Sequence, residues 1–253
     1  MRARDSWAGF CFVALGAVNL LPASSPVAAQ LQPFIDRHQI AGAVTLIGNK
    51  EDVVSVEMVG SADLASGRRM TPDTVFWIAS MTKSVTGLAV MMLVDEGKIS
   101  VDDPVEKYLP GFTGLMAVAE RDDQHVLLRR PTHPLTIRAL LTHTGGLEPQ
   151  TPLEPRLDVL SLRQSVLLYP LQPLRFEPGA RYLYSNAGTN TLGRIVEVVS
   201  GVSFDAFLQQ RLFGPLGMTD TTFWPTAAQM KRLAKSYRLN PTMTALRKFR
   251  SSC

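Results

Sequence analysis

A serine and a lysine stand three residues apart in Ser80-Met81-Thr82-Lys83. On a helix that spacing puts both side chains on one face, so the ammonium can approach the hydroxyl. A serine is a weak nucleophile until a neighbouring base takes its proton. A lysine serves as that base where burial and other positive groups lower its pKa. The start of a helix, with its free N–H groups, also favours developing negative charge. Serine and lysine often fall three apart by chance and a serine at a helix N-cap is commonplace, but the setting sharpens the reading. Phe76-Trp77-Ile78-Ala79 leads straight into an apolar stretch, and a lysine at the head of a buried helix calls for a reason. Trp77 itself reads as a core residue.

Tyr184-Ser185-Asn186, after Gly179-Ala180-Arg181-Tyr182-Leu183, is the second candidate. A tyrosine beside an ammonium has its phenolate favoured and can carry protons. An asparagine offers a donor and an acceptor to a substrate amide. Alone, the segment also fits a tyrosine packed beside an ordinary turn. The four histidines, His38, His125, His133 and His143, are scattered and read as structural. The chain has no His-Glu-x-x-His pair, no Gly-x-Ser-x-Gly elbow and no phosphate-cradling glycine loop.

These residues need elements to hold them. Residues 27 to 39 carry a helical apolar spacing. Gly42 to Gly48 and Val53 to Gly60 flank Asn49-Lys50-Glu51-Asp52 and predict a hairpin. Ser80 to Glu96 predicts a long helix, with Gly87 to Val94 buried nearly all round and Gly97 as its stop. Thr136 caps a short helix to Leu141 that ends near Gly145-Gly146. Further helices are expected at about 157 to 168, 187 to 200 and 204 to 212. A two-stranded hairpin is not a stable sheet by itself, so more strands are required.

The bulk numbers set the class. With 253 residues and 45% hydrophobic composition, the chain can bury a sizeable core. Its +4 formal charge is local. Seven of the 26 basic residues, and none of the 22 acidic ones, lie in 231–253. A nucleic-acid binder needs a basic face across its fold, so no nucleic-acid partner is expected. Arg2 and Arg4, the apolar run Trp7 to Leu21 and the small residues Val27-Ala28-Ala29 form a three-part secretory signal. Cleavage before Gln30 and export to the periplasm or beyond are expected, with no stable membrane span afterwards, since the run is short for a spanning helix. The two cysteines, Cys11 and Cys253, leave no internal disulfide and no thiolate metal site in the mature chain.

Taken together and in this order, the motifs resemble the serine β-lactamase-related and penicillin-binding family, in its class C-like and esterase branch. The resemblance runs through Phe76 to Phe112 with Ser80-Met81-Thr82-Lys83 and Asp102-Asp103-Pro104. It continues through Leu140-Leu141-Thr142-His143-Thr144-Gly145-Gly146-Leu147 and Tyr184-Ser185-Asn186, covering about 30 to 241. It implies an α+β fold: an antiparallel sheet flanked by helices, plus a helical subdomain. It also implies an acyl-enzyme on Ser80, proton transfer by Lys83 and Tyr184, and substrate orientation by Asn186. The Ser80 N–H would supply half of the oxyanion hole, and no metal or organic cofactor is implied. Small esters, amides including β-lactams, and D-amino-acid peptides of the cell wall are the substrate classes.

One family feature finds no match. The third motif, a Lys-Thr-Gly or His-x-Gly triplet on a strand after the second motif, is absent. His143-Thr144-Gly145 has the letters but precedes Tyr184, and Lys235-Ser236-Tyr237 lacks the glycine. Residues 242–253 read as an atypical basic tail, so the sheet is expected to be incomplete. A catalytically defective member, or a binding module that keeps the fold, is therefore the alternative expectation.

Overall fold

The computed structural model describes residues 26–149, 160–240 and 246–248. Its described residues fall into two compact units, one ending at Phe76 and resuming at Lys231, the other running from Trp77 to Met230.

The first unit begins with α1 (Pro26–Asp36), whose opening turn contains the Val27-Ala28-Ala29 segment. The Ala28 N–H donates to Glu57 at 2.7 Å. The expected hairpin is present as β1 (Gly42–Gly48) and β2 (Val53–Asp63). They pair antiparallel from Gly42 opposite Gly60 to Leu46 opposite Val56. Asn49 turns the chain by accepting the N–H groups of Glu51 and Asp52, the local competition for backbone donors that favours asparagine in turns. A short β3 (Arg68–Arg69) adds to β2, giving the order β1-β2-β3. Later in this unit β6 (Tyr237–Leu239) pairs with β7 (Leu246–Lys248), so part of the segment read as a tail is strand. The remaining residues of 242–253 lie outside the described residues.

The second unit is mainly helical and holds the candidate site residues. A 3₁₀ turn, Ala79–Met81, leads into α2 (Thr82–Asp95). The predicted helix therefore starts two residues late, and Ser80 sits in the tighter turn before it. The expectation of all-round burial for α2 is also corrected. Thr86, Ala89, Val90 and Leu93 are buried, whereas Leu88 and Met91 are exposed. An apolar run cannot distinguish two buried faces from one, and here a single face meets α5. Trp77, expected in the core, is 53% exposed.

After Gly97 the chain forms β4 (Ala117–Arg121) and β5 (Val126–Arg129), an antiparallel pair the sequence did not suggest. Then come α3 (Ile137–Leu141), α4 (Leu162–Val166), α5 (Asn186–Ser200) and α6 (Phe204–Leu208). The helix expected at about 157 to 168 is thus shorter, and 157–159 lie outside the described residues. α6 runs on into a π-helical turn to Phe213, and α7 (Ala227–Arg232) follows.

α5 shows why the sequence folds as it does. Ser185 caps it by accepting the Gly188 N–H at 3.1 Å, and Gly201 ends it in the left-handed conformation. Ala187, Thr191, Leu192, Ile195 and Val196 recur at helical spacing on its buried face. They meet Val90 and Leu93 of α2, Ile137 and Leu140 of α3, and Phe207 and Leu208 of α6 in one core. Each fully buried aliphatic side chain there contributes roughly 1.5–3 kcal/mol. Helices α2, α3 and α5 are thereby locked together, and their ends carry the site.

Candidate active site

Ser80 lies in the 3₁₀ turn that opens at Ala79. Its N–H is in the first turn, where N–H groups have no intrahelical acceptor. Ala79 is held at φ 45°, a left-handed conformation that strains any residue with a Cβ. Strain of this kind gathers where a backbone must present one side chain in one direction. Lys83, one turn on, is half-buried. Its ammonium donates to Asn186 Oδ1 at 2.7 Å and lies 4.5 Å from the centroid of the Tyr184 ring.

Tyr184 joins the two motifs. Hydrogen bonding to Lys83 first, and to Ser80 second, holds its phenol below the ordinary tyrosine value. The four residues named from sequence are therefore in one place: Ser80 and Lys83 on α2 and its leading turn, Asn186 at the first position of α5, and Tyr184 just before it. The arrangement brings a hydroxyl, a phenol of lowered pKa and an ammonium together, which suits relaying a proton away from an attacking oxygen.

A second layer holds the tyrosine. The α3 helix ends with the Thr144 N–H on Ala139 O (2.8 Å) and the His143 N–H on Leu140 O (3.3 Å). Those are the two bonds of a Schellman termination, which puts its next residue in the left-handed region. That residue is usually glycine; here it is His143, at φ 57°. The imidazole lies 4.8 Å from the Tyr184 ring and 5.9 Å, edge-on, from Tyr182. Its Nδ1 accepts the Ser185 N–H at 3.2 Å, and its backbone carbonyl accepts the Leu183 N–H at 2.8 Å. Burial, then the Lys83 charge, pushes the imidazole pKa down.

Sequence reasoning gave His143 only a structural part. Its signal was a non-glycine residue at a helix end just before a glycine pair. Gly146, at φ 75°, is needed as glycine because a Cβ there would meet Phe176 O at 2.7 Å. The close approach allows the Arg175 N–H to reach Gly146 O at 2.7 Å, which brings the 175–185 segment alongside the loop.

The Asp102-Asp103 pair supports α3 from the other end. Asp102 grips Arg138 through two bonds of 2.7 and 3.0 Å. The Asp103 carbonyl accepts the Ile137 N–H at 3.1 Å. On the other flank, a cleft of about 380 Å³ is lined in part by Arg121, Arg175, Arg181 and Tyr182. Glu120 also lines it, and Arg175 is paired with Glu148 at 3.2 Å, so the lining carries charges of both signs. Among the described residues no cluster of histidine, cysteine or acidic side chains could hold a metal ion. No helix there is long and apolar enough to cross a membrane.

Comparisons with known proteins identify the family and the fold. The family model described as Beta-lactamase matches residues 27–250. Esterase EstB of Burkholderia gladioli is 33% identical over 85% of this chain and 55% of its own. An Escherichia coli protein, provisionally named a D-alanyl-D-alanine carboxypeptidase, is 32% identical over 66% of this chain and 38% of its own. Among solved structures, "EstCE1, a hydrolase with promiscuous acyltransferase activity" superposes with a TM-score of 0.75 at 30% identity, over 90% of this chain and 59% of that one. The chain spans about half the length of the curated relatives it matches. The fold is β-lactamase/transpeptidase-like, and esterase and carboxypeptidase relatives mark the family as one of serine hydrolases. This chain belongs to the beta-lactamase family.

Proposed function

We propose that the protein is a serine hydrolase that forms an acyl-enzyme on Ser80 with small esters. The observation that carries this reading is the placement of Lys83 between the two motifs, bonded to Asn186 at 2.7 Å and 4.5 Å from the Tyr184 ring centroid, beside a phenol whose pKa is lowered. In the forward step the Ser80 proton passes to the Tyr184–Lys83 pair as Oγ attacks the substrate carbonyl. The Ser80 N–H faces the developing oxyanion. Collapse breaks the ester C–O bond, and the alcohol leaves with the proton that Tyr184 returns. Water then enters by the same route and releases the acid. Asn186, whose Oδ1 accepts from Lys83, keeps its amide N–H₂ for the substrate. No cofactor or metal enters these steps.

Esters lead because EstB is named an esterase and EstCE1 a hydrolase with acyltransferase activity. Amides are the second class, supported by the carboxypeptidase name of the Escherichia coli relative. The test is a panel of a nitrophenyl butyrate ester, a chromogenic cephalosporin and a D-Ala-D-Ala peptide, beside labelling by a fluorescent fluorophosphonate. Ester turnover and labelling, both lost in Ser80→Ala, are expected. Labelling that survives Ser80→Ala would overturn the nucleophile assignment. A folded chain that takes no label would be a binding module.

Export is part of the same proposal, supported by the signal pattern of Arg2 to Ala29. Intact-mass measurement of exported protein is expected to give an N-terminus at or near Gln30, and retention of Met1 would overturn it.

A further inference from the structure

We propose that His143 is a positioning residue for the reaction, a neutral imidazole that brackets Tyr184 and sets its place between Ser80 and Lys83. The inference rests on the Ser80 hydrolase reading and adds a residue to it.

Three contacts from one residue surround the tyrosine. The His143 carbonyl takes the Leu183 N–H on one side of Tyr184. Nδ1 takes the Ser185 N–H on the other. The imidazole ring lies against the phenol ring between them. Because Ser185 also caps α5, the bond to Nδ1 fixes Asn186 as well as Tyr184. Both flanks of the second motif thus hang on one side chain that comes from α3.

The backbone shows that stability alone does not explain this histidine. It occupies the left-handed position after a helix end, where glycine fits without strain and asparagine is the next best tolerated. A histidine there strains the helix end, and the imidazole is what the strain delivers. The protonation state follows from the bond it makes. Nδ1 accepts, so any ring proton is on Nε2 and the ring is neutral. Protonating Nδ1 would set a donor against the Ser185 N–H and add a second positive charge near Lys83.

The titratable groups facing the ring are Lys83 from α2, and Tyr182 and Tyr184 from the segment that leads into α5. Its own loop brings the hydroxyls of Thr142 and Thr144, which bond to each other at 2.9 Å. No carboxylate of the described residues pairs with the ring to favour the cation. Acid therefore releases the bracket, and the rate should fall at low pH through His143.

Two substitutions in the full chain separate positioning from folding. His143→Gly relieves the strained backbone and removes the clamp. Its melting temperature is expected to stay level or rise, while the second-order rate of Ser80 labelling by a fluorophosphonate falls about 10²-fold, the typical loss for a displacement of about 1 Å in a catalytic array. His143→Asn keeps the left-handed backbone and places Oδ1 where Nδ1 stood. It is expected to retain most of the rate and to lose the acidic limb expected of the wild type, which should lie below the ordinary imidazole range because burial and Lys83 push the His143 pKa down. A glycine variant that labels as fast as wild type, or an asparagine variant that falls as far as glycine, overturns the proposal. Imidazole ¹⁵N NMR on the wild type gives a readout that needs no activity. An Nε2–H tautomer supports the bracket and an Nδ1–H tautomer refutes it. A wild-type chain that takes no label instead counts against the hydrolase reading, and the tautomer then decides the bracket by itself.

Discussion

The Lys83 ammonium sits 4.5 Å from the centre of the Tyr184 ring, and hydrogen bonding between the two side chains is the main cause of the lowered phenol pKa. The tyrosine thus reaches its anionic form at a lower pH than a tyrosine in water. Replacing Lys83 by Met removes the charge and the donors while keeping a long apolar side chain. The Tyr184 pKa is then expected to rise towards its ordinary value of about 10, and Ser80 labelling to slow by orders of magnitude at neutral pH. Ultraviolet difference titration of Lys83→Met against Lys83→Met/Tyr184→Phe isolates this phenol. An ionisation that stays where the wild type has it would show that Lys83 is not the cause.

A second prediction concerns the turn that holds Ser80. Ala79 at φ 45° carries a strain of roughly 1–2 kcal/mol, the left-handed penalty for a residue with a Cβ. Ala79→Gly relieves it, less the entropy glycine regains on unfolding. Each kcal/mol gained raises the melting temperature by about 2–4 °C in a chain of this size. Ala79→Val should lower the melting temperature, because a β-branched side chain tolerates this region worst. Equal melting temperatures for the two variants would rule out backbone strain at this position.

How far the sequence revealed this site depended on the range of the interactions involved. The Ser80–Lys83 spacing is local, so three residues of helix were enough to pair them. The α5 start was legible because Ser185 and the glycine at 188 are neighbours in sequence. His143 escaped because its meaning depends on a left-handed backbone and a bond to a residue 42 positions away. The α2 helix was read as buried all round because Leu88 and Met91 carry the same letters as the residues that do pack. The β4–β5 pair was missed for the opposite reason. Nearly all of its residues are exposed or half-buried, so no alternation of apolar and polar positions marks it.

Asp103 gives an acid-stability prediction. Lys107 first, then Tyr108 and the Ser100 N–H, lower its pKa from 3.8 to about 2. A carboxylate with a depressed folded-state pKa stabilises the fold fully above its unfolded value. That contribution is lost as pH falls through the folded one. The window here runs from about pH 4 down to about pH 2. Asp103→Asn is expected to lower the urea midpoint at pH 6, and the gap to wild type should close as the pH approaches 2. Because the Asp103 backbone carbonyl also anchors α3, loosening this loop should slow Ser80 labelling as well. A gap that is constant from pH 6 to pH 2 would mean the ionised carboxylate is not what stabilises the loop.

The hairpin supplies the last prediction. Leu46 is 64% exposed, and Val53 and Val54 are about as open, with Ile47 between them and the turn. These residues cluster where β1 and β2 meet the Asn49 turn, and β1 is the outer strand of its sheet among the described residues. An outer strand presents unpaired N–H and C=O groups, and apolar side chains beside such an edge favour pairing with a second chain. A charge on the edge strand opposes that pairing without touching the core of the helical unit. Leu46→Lys is therefore expected to reduce concentration-dependent association, read by light scattering and size-exclusion chromatography. Ser80 labelling should be unchanged, because Leu46 belongs to the first unit and the candidate site residues to the second. Lys at position 50, already charged and in the turn, is the control: Lys50→Arg should change nothing. If the wild-type chain is monomeric at the highest concentration tested, or if Leu46→Lys associates as strongly as wild type, this edge is not the site of self-pairing.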